Sequence, residues 1–282
     1  MKHLGLGMPS SGQAICLRRD DCIMGLSERV GEVIGAKMEA RLLQDVRKHP
    51  LPQHVAFIMD GNRRFAWSKA LETQAGHRRG KQVLEDVMDW VLDLGIEYMT
   101  VYALSTENLT GRTEKELRGL FELYVEGLND IAEDPRIHEN EVKVQVIGRR
   151  ELLPDSVNSA IDNAEKRTEG YTGFTFTVCL AYGGREEIVR AIRQLAEDHK
   201  AGEIALDDID ENSVSERLWT GNMPDPDLVI RTSGEERISN FLLWQTAYSE
   251  LYFSDVFWPG FSRKEFLKAV QDYQLRQRRY GE

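Results

Sequence analysis

The sequence predicts a single α/β domain with a six-stranded, mainly parallel sheet flanked by helices. Three observations carry that expectation. Six short apolar runs alternate with segments of helical spacing, the pattern that lays crossover helices over both faces of a parallel sheet. The chain has 282 residues, 41% of them hydrophobic, which suits one large domain or one domain with an extension. Charged and hydroxyl residues gather just after the apolar runs, at the strand ends where such sheets bind ligands.

Residues 1–23 carry Gly, Ser and scattered polar residues without period, and read as an extension without regular structure, with Met24 a candidate natural start. Leu26, Val30, Val33, Ile34, Met38 and Leu42 then follow helical spacing. Residues 24–50 are therefore expected to hold one helix, packed on the domain or acting as a lid or membrane-surface helix. Pro50 and Pro52 break the chain before the domain proper, 51–282. The strand-like runs are Val55 to Met59, Glu97 to Leu104, Val142 to Ile147, Phe174 to Ala181, Asp227 to Ile230 and Glu250 to Phe253. Helical spacing covers Gly80–Leu94, Thr113–Ile131, Pro154–Arg167, Glu186–His199, Ser213–Trp219 and Ser262–Arg278, and Phe241 to Tyr248 reads as a further helix. Thr113 with Glu116, and Ser262 with Glu265, have capping-box spacing.

The first strand ends in Asp60-Gly61-Asn62-Arg63-Arg64. A strand that runs into a helix N-terminus favours anions, because free backbone N–H groups and the helix dipole meet there. A carboxylate beside a phosphate repels it, unless a divalent cation intervenes or the carboxylate acts as a base. This points to a Mg²⁺-dependent diphosphate site centred on Asp60. The second strand delivers Ser105, Thr106, Glu107 and Asn108, then Arg112; the fifth delivers Arg231, followed by Arg237, Ile238 and Ser239. Two arginine groups fit two polyanions bound together, since guanidinium grips phosphate in a bidentate way. Each piece also has a structural reading. Asp-Gly-Asn is a common turn, Ser105 has the position of a helix cap, and Arg231 and Arg237 have carboxylates nearby in sequence.

Composition narrows the field. A net charge of −11 argues against general nucleic-acid binding, so an anionic substrate needs a local arginine cluster. Cys16, Cys22 and Cys179 have no metal-type spacing and read as free thiols of a reducing cytoplasm. No stretch approaches the roughly 18 apolar residues of a membrane span, and the N-terminus has no basic segment followed by an apolar core. No Walker-type or GxGxxG motif follows the first strand, which disfavours a nucleotide-binding enzyme.

HVAFIMDGNRRFA, Gly76-His77, YALSTEN, AYGGR (Ala181–Arg185) and DLVIRTSGEERISNFLLWQTAYSELYF together resemble the cis-prenyltransferase family of the undecaprenyl diphosphate synthase type, over about residues 51–282. The Asn62-Arg63-Arg64 form is similar to the archaeal and eukaryotic branch. The resemblance implies Mg²⁺-dependent sequential cis-condensation of isopentenyl diphosphate onto an allylic diphosphate, on an α/β fold with an apolar product tunnel. It implies catalytic roles for Asp60 and Asn108, and metal contacts for Asp60 and Glu250. Substrate contacts are implied for Gly61, Asn62, Arg63, Arg64, Phe65, His77, Ser105, Thr106, Glu107, Leu109, Arg112, Arg231, Arg237, Ile238 and Ser239. Arg279-Tyr280-Gly281 resembles a tail that reaches the neighbouring site in a homodimer. Geranylgeranyl diphosphate is the implied primer, farnesyl diphosphate the alternative, and a carrier-lipid precursor of about fifty-five carbons the product. The base stays open between Asp60, the diphosphate, and a relay through Asn108 and Ser105.

The chain departs from the pattern at Thr73, where an arginine is usual. It also departs at the one-residue-longer step from Asn108 to Arg112, and at Leu109, usually aromatic. A non-catalytic partner subunit would lack the aspartate loop, which is present here. The product needs an apolar channel, with Val83, Val87, Val91 and Leu94, and Leu117, Leu120, Phe121, Tyr124 and Leu128, as candidate walls or ordinary core. Such a product partitions into lipid, so a cytoplasmic enzyme with peripheral membrane contact is expected.

Overall fold

The computed structural model describes residues 35–280, without the side chains of 277–280. The expectations for 1–23, for the start of the 24–50 helix, and for Cys16, Cys22 and Gly281 lie outside the described residues. Helix α1 covers 35–46 and ends before Pro50 and Pro52, as the sequence requires. Six strands follow: β1 His54–Ile58, β2 Tyr98–Tyr102, β3 Val142–Ile147, β4 Phe174–Cys179, β5 Leu228–Arg231 and β6 Glu250–Phe253. They form one sheet in the order β3-β4-β2-β1-β5-β6. Every pairing is parallel, so "mainly parallel" is sharpened to wholly parallel. The helices are α2 Asn62–Ser68, α3 Thr73–Leu94, α4 Thr106–Gly111, α5 Glu114–Glu133, α6 Pro135–Glu139, α7 Asp155–Thr168, α8 Gly184–Ala201, α9 Glu211–Ser215 and α10 Arg263–Tyr280.

Strand β1 shows how the sheet is buried. All five of its residues are buried. Val55 and Phe57 face the larger core cluster under α3, α5, α7 and α10, whereas Ala56 and Ile58 face a smaller one with Tyr182, Phe241 and Leu242. Alternation of faces along a strand, with both faces covered, is what a parallel sheet demands. β1 has β2 on one side and β5 on the other, so the chain changes direction across it, and that crevice is the favoured ligand position in open α/β sheets. The described part of the N-terminal helix packs on the domain: Val46 is buried, its carbonyl accepts from Gln274 at 2.9 Å, and Arg47 pairs with Asp93.

Two expected helices are corrected. The 213–219 segment forms only the single turn α9, capped by Asp210, and then breaks into turns. Residues 241–248 form turns, not a helix. Ser239, Asn240 and Leu242 take left-handed φ values of 49°, 64° and 42°, which interrupt a right-handed helix at its start. Gln245 is drawn inward instead, donating to Glu187 and Thr220. The Thr113–Glu116 capping box forms as expected, and Ser262 accepts from the Glu265 amide.

His54 opens β1 fully buried. Its Nδ1 donates to the Pro224 carbonyl at 2.7 Å, which leaves Nε2 to accept from Thr100 Oγ1 at 2.8 Å. Burial drives its pKa down to about 4, against the opposing pull of the Pro224 carbonyl and Asp227. The folded value lies below the unfolded one. The stability it contributes is therefore complete above about pH 6.5 and is lost as pH falls toward 4, a decline of at most about 3 kcal/mol. Urea unfolding from pH 7 to 4.5 should show this loss. His54→Gln should start less stable at pH 7 and decline less steeply.

Candidate active site

Asp60 follows β1 and is held from several directions. Its amide donates to Thr232 Oγ1 at 3.0 Å, and its carbonyl accepts from that hydroxyl at 2.7 Å and from the Trp258 amide at 2.9 Å. Its Oδ1 accepts from the Gly61 amide at 2.6 Å, and Arg231 Nη2 donates to Oδ2 at 2.8 Å. Burial works to raise the Asp60 carboxyl. The Arg231 hydrogen bond and charge, the Gly61 amide and the Arg64 charge outweigh it and hold the group below the usual carboxylate range. Asp60 is thus an ionised carboxylate at neutral pH.

Gly61 has φ 100°, a conformation reserved for glycine, and a Cβ there would meet Phe257 at 2.8 Å. α2 starts immediately after it. Asn62 Nδ2 donates to the Met59 carbonyl, while Asn62 Oδ1 is buried with no partner. α2 nests against two α3 glycines one turn apart. A Cβ on Gly76 would lie 2.2 Å from the Asn62 carbonyl oxygen, and one on Gly80 would lie 2.2 Å from Asn62 Oδ1. The i, i+4 spacing of Gly76 and Gly80 was the available signal for this contact.

Asp60, Asn62, Arg63, His77, Ser105, Glu107, Asn108, Arg112, Arg231, Arg237 and Ser239 all border one cavity of about 740 Å³. Five side-chain atoms of this rim group are buried without a hydrogen-bond partner: Asn62 Oδ1, His77 Nε2, Arg112 Nε and Nη1, and Arg231 Nε. Buried polar atoms are normally satisfied, so a cluster of orphans marks a place for a polar ligand. Four of the five are guanidinium or imidazole nitrogens, which fits an anion. Burial, then the charges of Arg112 and Arg63, lower the His77 pKa to about 4 against the pull of Glu116. Arg63 also stacks over Trp67 at 5.2 Å and pairs with Glu116 at 3.6 Å.

On the other side of Asp60, Arg231 is buried and fixed. Its Nη1 donates to the Arg237 carbonyl at 2.6 Å and to Ser239 Oγ at 2.7 Å. Arg237 is exposed and pairs with Glu235. Ser105 caps α4, accepting from the Asn108 amide at 3.1 Å, so the cap and the site readings both hold for it. Thr106 donates to Glu186, and Glu107 accepts from Asn240 at 2.9 Å.

Several expected site residues are not at the cavity surface. Arg64 turns to Glu235 at 2.9 Å and to Ser233, over the Phe257 ring. Leu109 packs on the core, Ile238 packs on the smaller core cluster, and neither Phe65 nor Gly61 borders the cavity. Glu250 is the clearest correction. It opens β6 in register with Leu228, whereas the site lies beyond Arg231, about 10 Å further along at 3.3 Å per residue. Within one chain it stands at the opposite edge of the sheet from Asp60, paired with Arg276 at 3.1 Å. Thr232, Trp258 and Gly80 were missed. Thr232, next to Arg231, and Gly80, four residues after Gly76, had a sequence signal; Trp258 had none.

The deep part of the cavity is apolar. Leu120, Leu123, Tyr124, Leu128 and Ile131 line it along one face of α5, and Leu84 faces them from α3. Of the expected walls, Leu120, Tyr124 and Leu128 are at the surface, while Leu117 and Phe121 are not. Val83, Val87, Val91 and Leu94 are core, because α3 shows the cavity a different stripe: His77, Gly80, Lys81 and Leu84.

Residues 58–281 match the family profile described as putative undecaprenyl diphosphate synthase. The chain belongs to that family. It is 50% identical over 246 residues to the geranylgeranyl-diphosphate-specific tritrans,polycis-undecaprenyl-diphosphate synthase of Methanopyrus kandleri, covering 87% of this chain and 90% of the relative. It is 46% identical over 258 residues to the protein of the same name from Thermoplasma volcanium, covering 92% of this chain and all of the relative. Among solved structures, lavandulyl diphosphate synthase from Lavandula x intermedia, in complex with dimethylallyl diphosphate, superposes with a TM-score of 0.77 at 35% identity, covering 79% of this chain and 95% of that one. A probable undecaprenyl diphosphate synthase from Campylobacter jejuni gives 0.66 at 29% identity, covering 83% and 99%.

The nesting of α2 on α3 makes a sharp test. Gly80→Ala places a methyl group on Asn62 Oδ1 and displaces the amide from the rim. Turnover should fall on the order of 10²-fold, as for misplacements of about 1 Å. Circular dichroism should stay native.

Proposed function

We propose that this protein adds isopentenyl diphosphate repeatedly, with cis geometry, to geranylgeranyl diphosphate, making a polyprenyl diphosphate of about fifty-five carbons that serves as precursor of a glycosyl carrier lipid. The observation that carries the reading is the junction of unpartnered cationic nitrogens with an apolar cavity, which suits a diphosphate head with a hydrocarbon tail. The names of the archaeal relatives support geranylgeranyl diphosphate over farnesyl diphosphate as primer.

In this reading Arg63, Arg112, His77 and the backbone amides after Gly61 hold the allylic diphosphate. Arg231, Arg237 and Ser239 hold isopentenyl diphosphate on the other side of Asp60. Arg63 places a guanidinium near His77, which supplies positive charge at the corner where Thr73 replaces the usual arginine. The allylic C–O bond breaks as the new C–C bond forms, the diphosphate leaves with the bond electrons, and one proton departs from the isopentenyl unit. Positioning the double bond against the allylic carbon contributes much of the rate, and preorganised donors stabilise the growing negative charge. Asn108, an amide, orients substrate. The proton goes to Asp60 or to a diphosphate oxygen.

The donor set fits Mg²⁺. Asp60 is ionised, Asn62 Oδ1 is a free acceptor, and among the described residues no group of three or more His, Cys, Asp or Glu could hold an ion alone. Mg²⁺ characteristically takes one or two carboxylates plus substrate phosphates. When bound it would offset charge on the leaving diphosphate. The homodimer with the Arg279-Tyr280-Gly281 tail at the neighbouring site stays part of the proposal, as does peripheral membrane contact. No helix among the described residues is long and apolar enough to cross a membrane.

Incubation with labelled isopentenyl diphosphate, Mg²⁺ and each primer tests the reading. Elongation of geranylgeranyl diphosphate is expected, abolished by EDTA and lowered on the order of 10³-fold by Asp60→Ala. Near-normal activity in that variant would end the assignment. Leu120→Trp should shorten the product ladder, because Leu120 lines the cavity. Phe121→Trp should leave the ladder unchanged.

A further inference from the structure

The cavity rim is assembled from loops that the sheet does not join directly. Arg231, Arg237 and Ser239 stand at the end of β5 and after it, and Asn108 and Arg112 follow β2, with β1 between the two strands. Asn240, which has had no role so far, reaches across. It is half-buried and borders the cavity. Its Nδ2 donates to Glu107 Oε1 at 2.9 Å and to Glu186 Oε2 at 3.4 Å. Its Oδ1 accepts from the Arg185 amide at 2.9 Å, and its carbonyl accepts from the Gly184 amide at 2.7 Å. Among the described residues, the bond from Asn240 to Glu107 is the one hydrogen bond between the 105–112 and 231–240 loops.

The Ala181–Arg185 motif is the platform for this reach. On one side the Tyr182 carbonyl accepts from the Thr106 amide at 3.1 Å, one residue before Glu107. On the other, Gly184 and Arg185 present their amides to Asn240. The approach is close enough to require glycine. A Cβ on Gly183 would lie 2.8 Å from Asn240 Nδ2, and one on Gly184 would lie 2.8 Å from Leu243 Cγ and 3.1 Å from the Asn240 carbonyl oxygen. Behind the turn, the buried Glu187 accepts from Tyr182 and Gln245, which fastens the motif to the 240–245 segment a second time. Neither glycine borders the cavity, so the motif acts on the site through Asn240.

A left-handed φ of 64° by itself accounts for an asparagine, because Asn tolerates that region. It does not account for the engagement of both ends of the amide, each by a different segment. Ser239, its neighbour in the chain, accepts from Arg231 Nη1 at 2.7 Å, and Glu107 adjoins Asn108. Holding Asn240 therefore holds the span between the Ser239–Arg231 pair and the start of α4. Supporting hydrogen bonds of this kind keep a site within the sub-ångström tolerance that reactivity demands.

Building on the isopentenyl diphosphate site proposed for Arg231, Arg237 and Ser239, we propose that Asn240 is a positioning residue for that substrate. Seated on the Gly183-Gly184-Arg185 turn, it sets the distance between Ser239 and Asn108 and so aims the isopentenyl double bond at the allylic carbon.

Steady-state kinetics, with each substrate varied while the other saturates, test it. Asn240→Gly keeps a residue at ease with φ 64° and removes both side-chain links. The KM for isopentenyl diphosphate should rise roughly tenfold and kcat fall roughly tenfold, while the KM for geranylgeranyl diphosphate stays within about twofold. Asn240→Asp keeps an acceptor for the Arg185 amide but replaces the donor facing Glu107 with an oxygen, and should show the same split. Where Asn240→Gly does not fold, Asn240→Asp carries the test. With Glu107→Ala added to Asn240→Asp, the loss should not exceed that of the worse single variant, because both changes cut one link. A residue that only holds the fold would lower kcat alone, through the fraction of active enzyme, and leave both KM values as they are. That outcome, unchanged kinetics in the single variants, or losses that multiply in the double variant each overturns the proposal. A wild type that elongates no primer overturns the underlying site assignment instead.

Discussion

The site depends on one ion pair, Asp60 with Arg231. Arg231 ends β5 with 5% of its side chain exposed, and Asp60 follows its neighbour β1 with 32% exposed. A buried guanidinium without a counter-charge is costly, and breaking one partner of such a pair commonly costs about 3–5 kcal/mol. The pair therefore locks two loops far apart in sequence at the switch point of the sheet. Thr232 and Trp258 reinforce it by satisfying the Asp60 backbone, so the carboxylate direction is set by main-chain contacts as well as by charge. The same pair keeps Asp60 ionised and leaves Arg231 Nε unpartnered.

Helix α3 shows how one amphipathic element serves two surfaces. Val83, Val87 and Val91 fall on its core stripe, and His77, Gly80, Lys81 and Leu84 on the stripe toward the cavity. Both have the i, i+3, i+4 spacing of a helix face. Periodicity alone therefore could not separate tunnel wall from core, and the valine stripe was the more apolar and the more conspicuous. On α5 the spacing named Leu117, Leu120, Phe121, Tyr124 and Leu128 alike, and only Leu120, Tyr124 and Leu128 meet the cavity: Phe121 is one position off that face, and Leu117 lies a turn nearer the helix start.

The strands, the long helices and the gathering of Asp60, Asn108, Arg112, Arg231 and Ser239 at strand carboxyl ends were legible because each follows from an apolar run and a fixed helix or strand period. Less legible were features set by backbone conformation and register. The left-handed φ values at Ser239, Asn240 and Leu242 turn an apolar, helix-like string into a loop, and no side-chain pattern announces them. Glu250 has a motif position that reads as part of the site. Register in a parallel sheet nevertheless places the start of a strand at the edge remote from the ligand. Arg64 lies in the expected loop and turns to Glu235, a side-chain direction that the sequence does not encode.

That turn of Arg64 bears on how a chain with net charge −11 tolerates so many guanidinium groups at one rim. Glu235 accepts from both Arg64 and Arg237, and Glu116 takes Arg63. These carboxylates offset the positive charge of the arginines near Asp60. They sit on exposed or half-exposed pairs, where ion pairing is weak and exchange is easy. Arg231, by contrast, is itself buried and holds Asp60 and Ser239 through a guanidinium that is costly to leave unpaired. Around Asp60 there is thus one fixed, buried arginine, Arg231, and three half-exposed or exposed arginines paired with carboxylates. Self-repulsion among the cations is thereby offset.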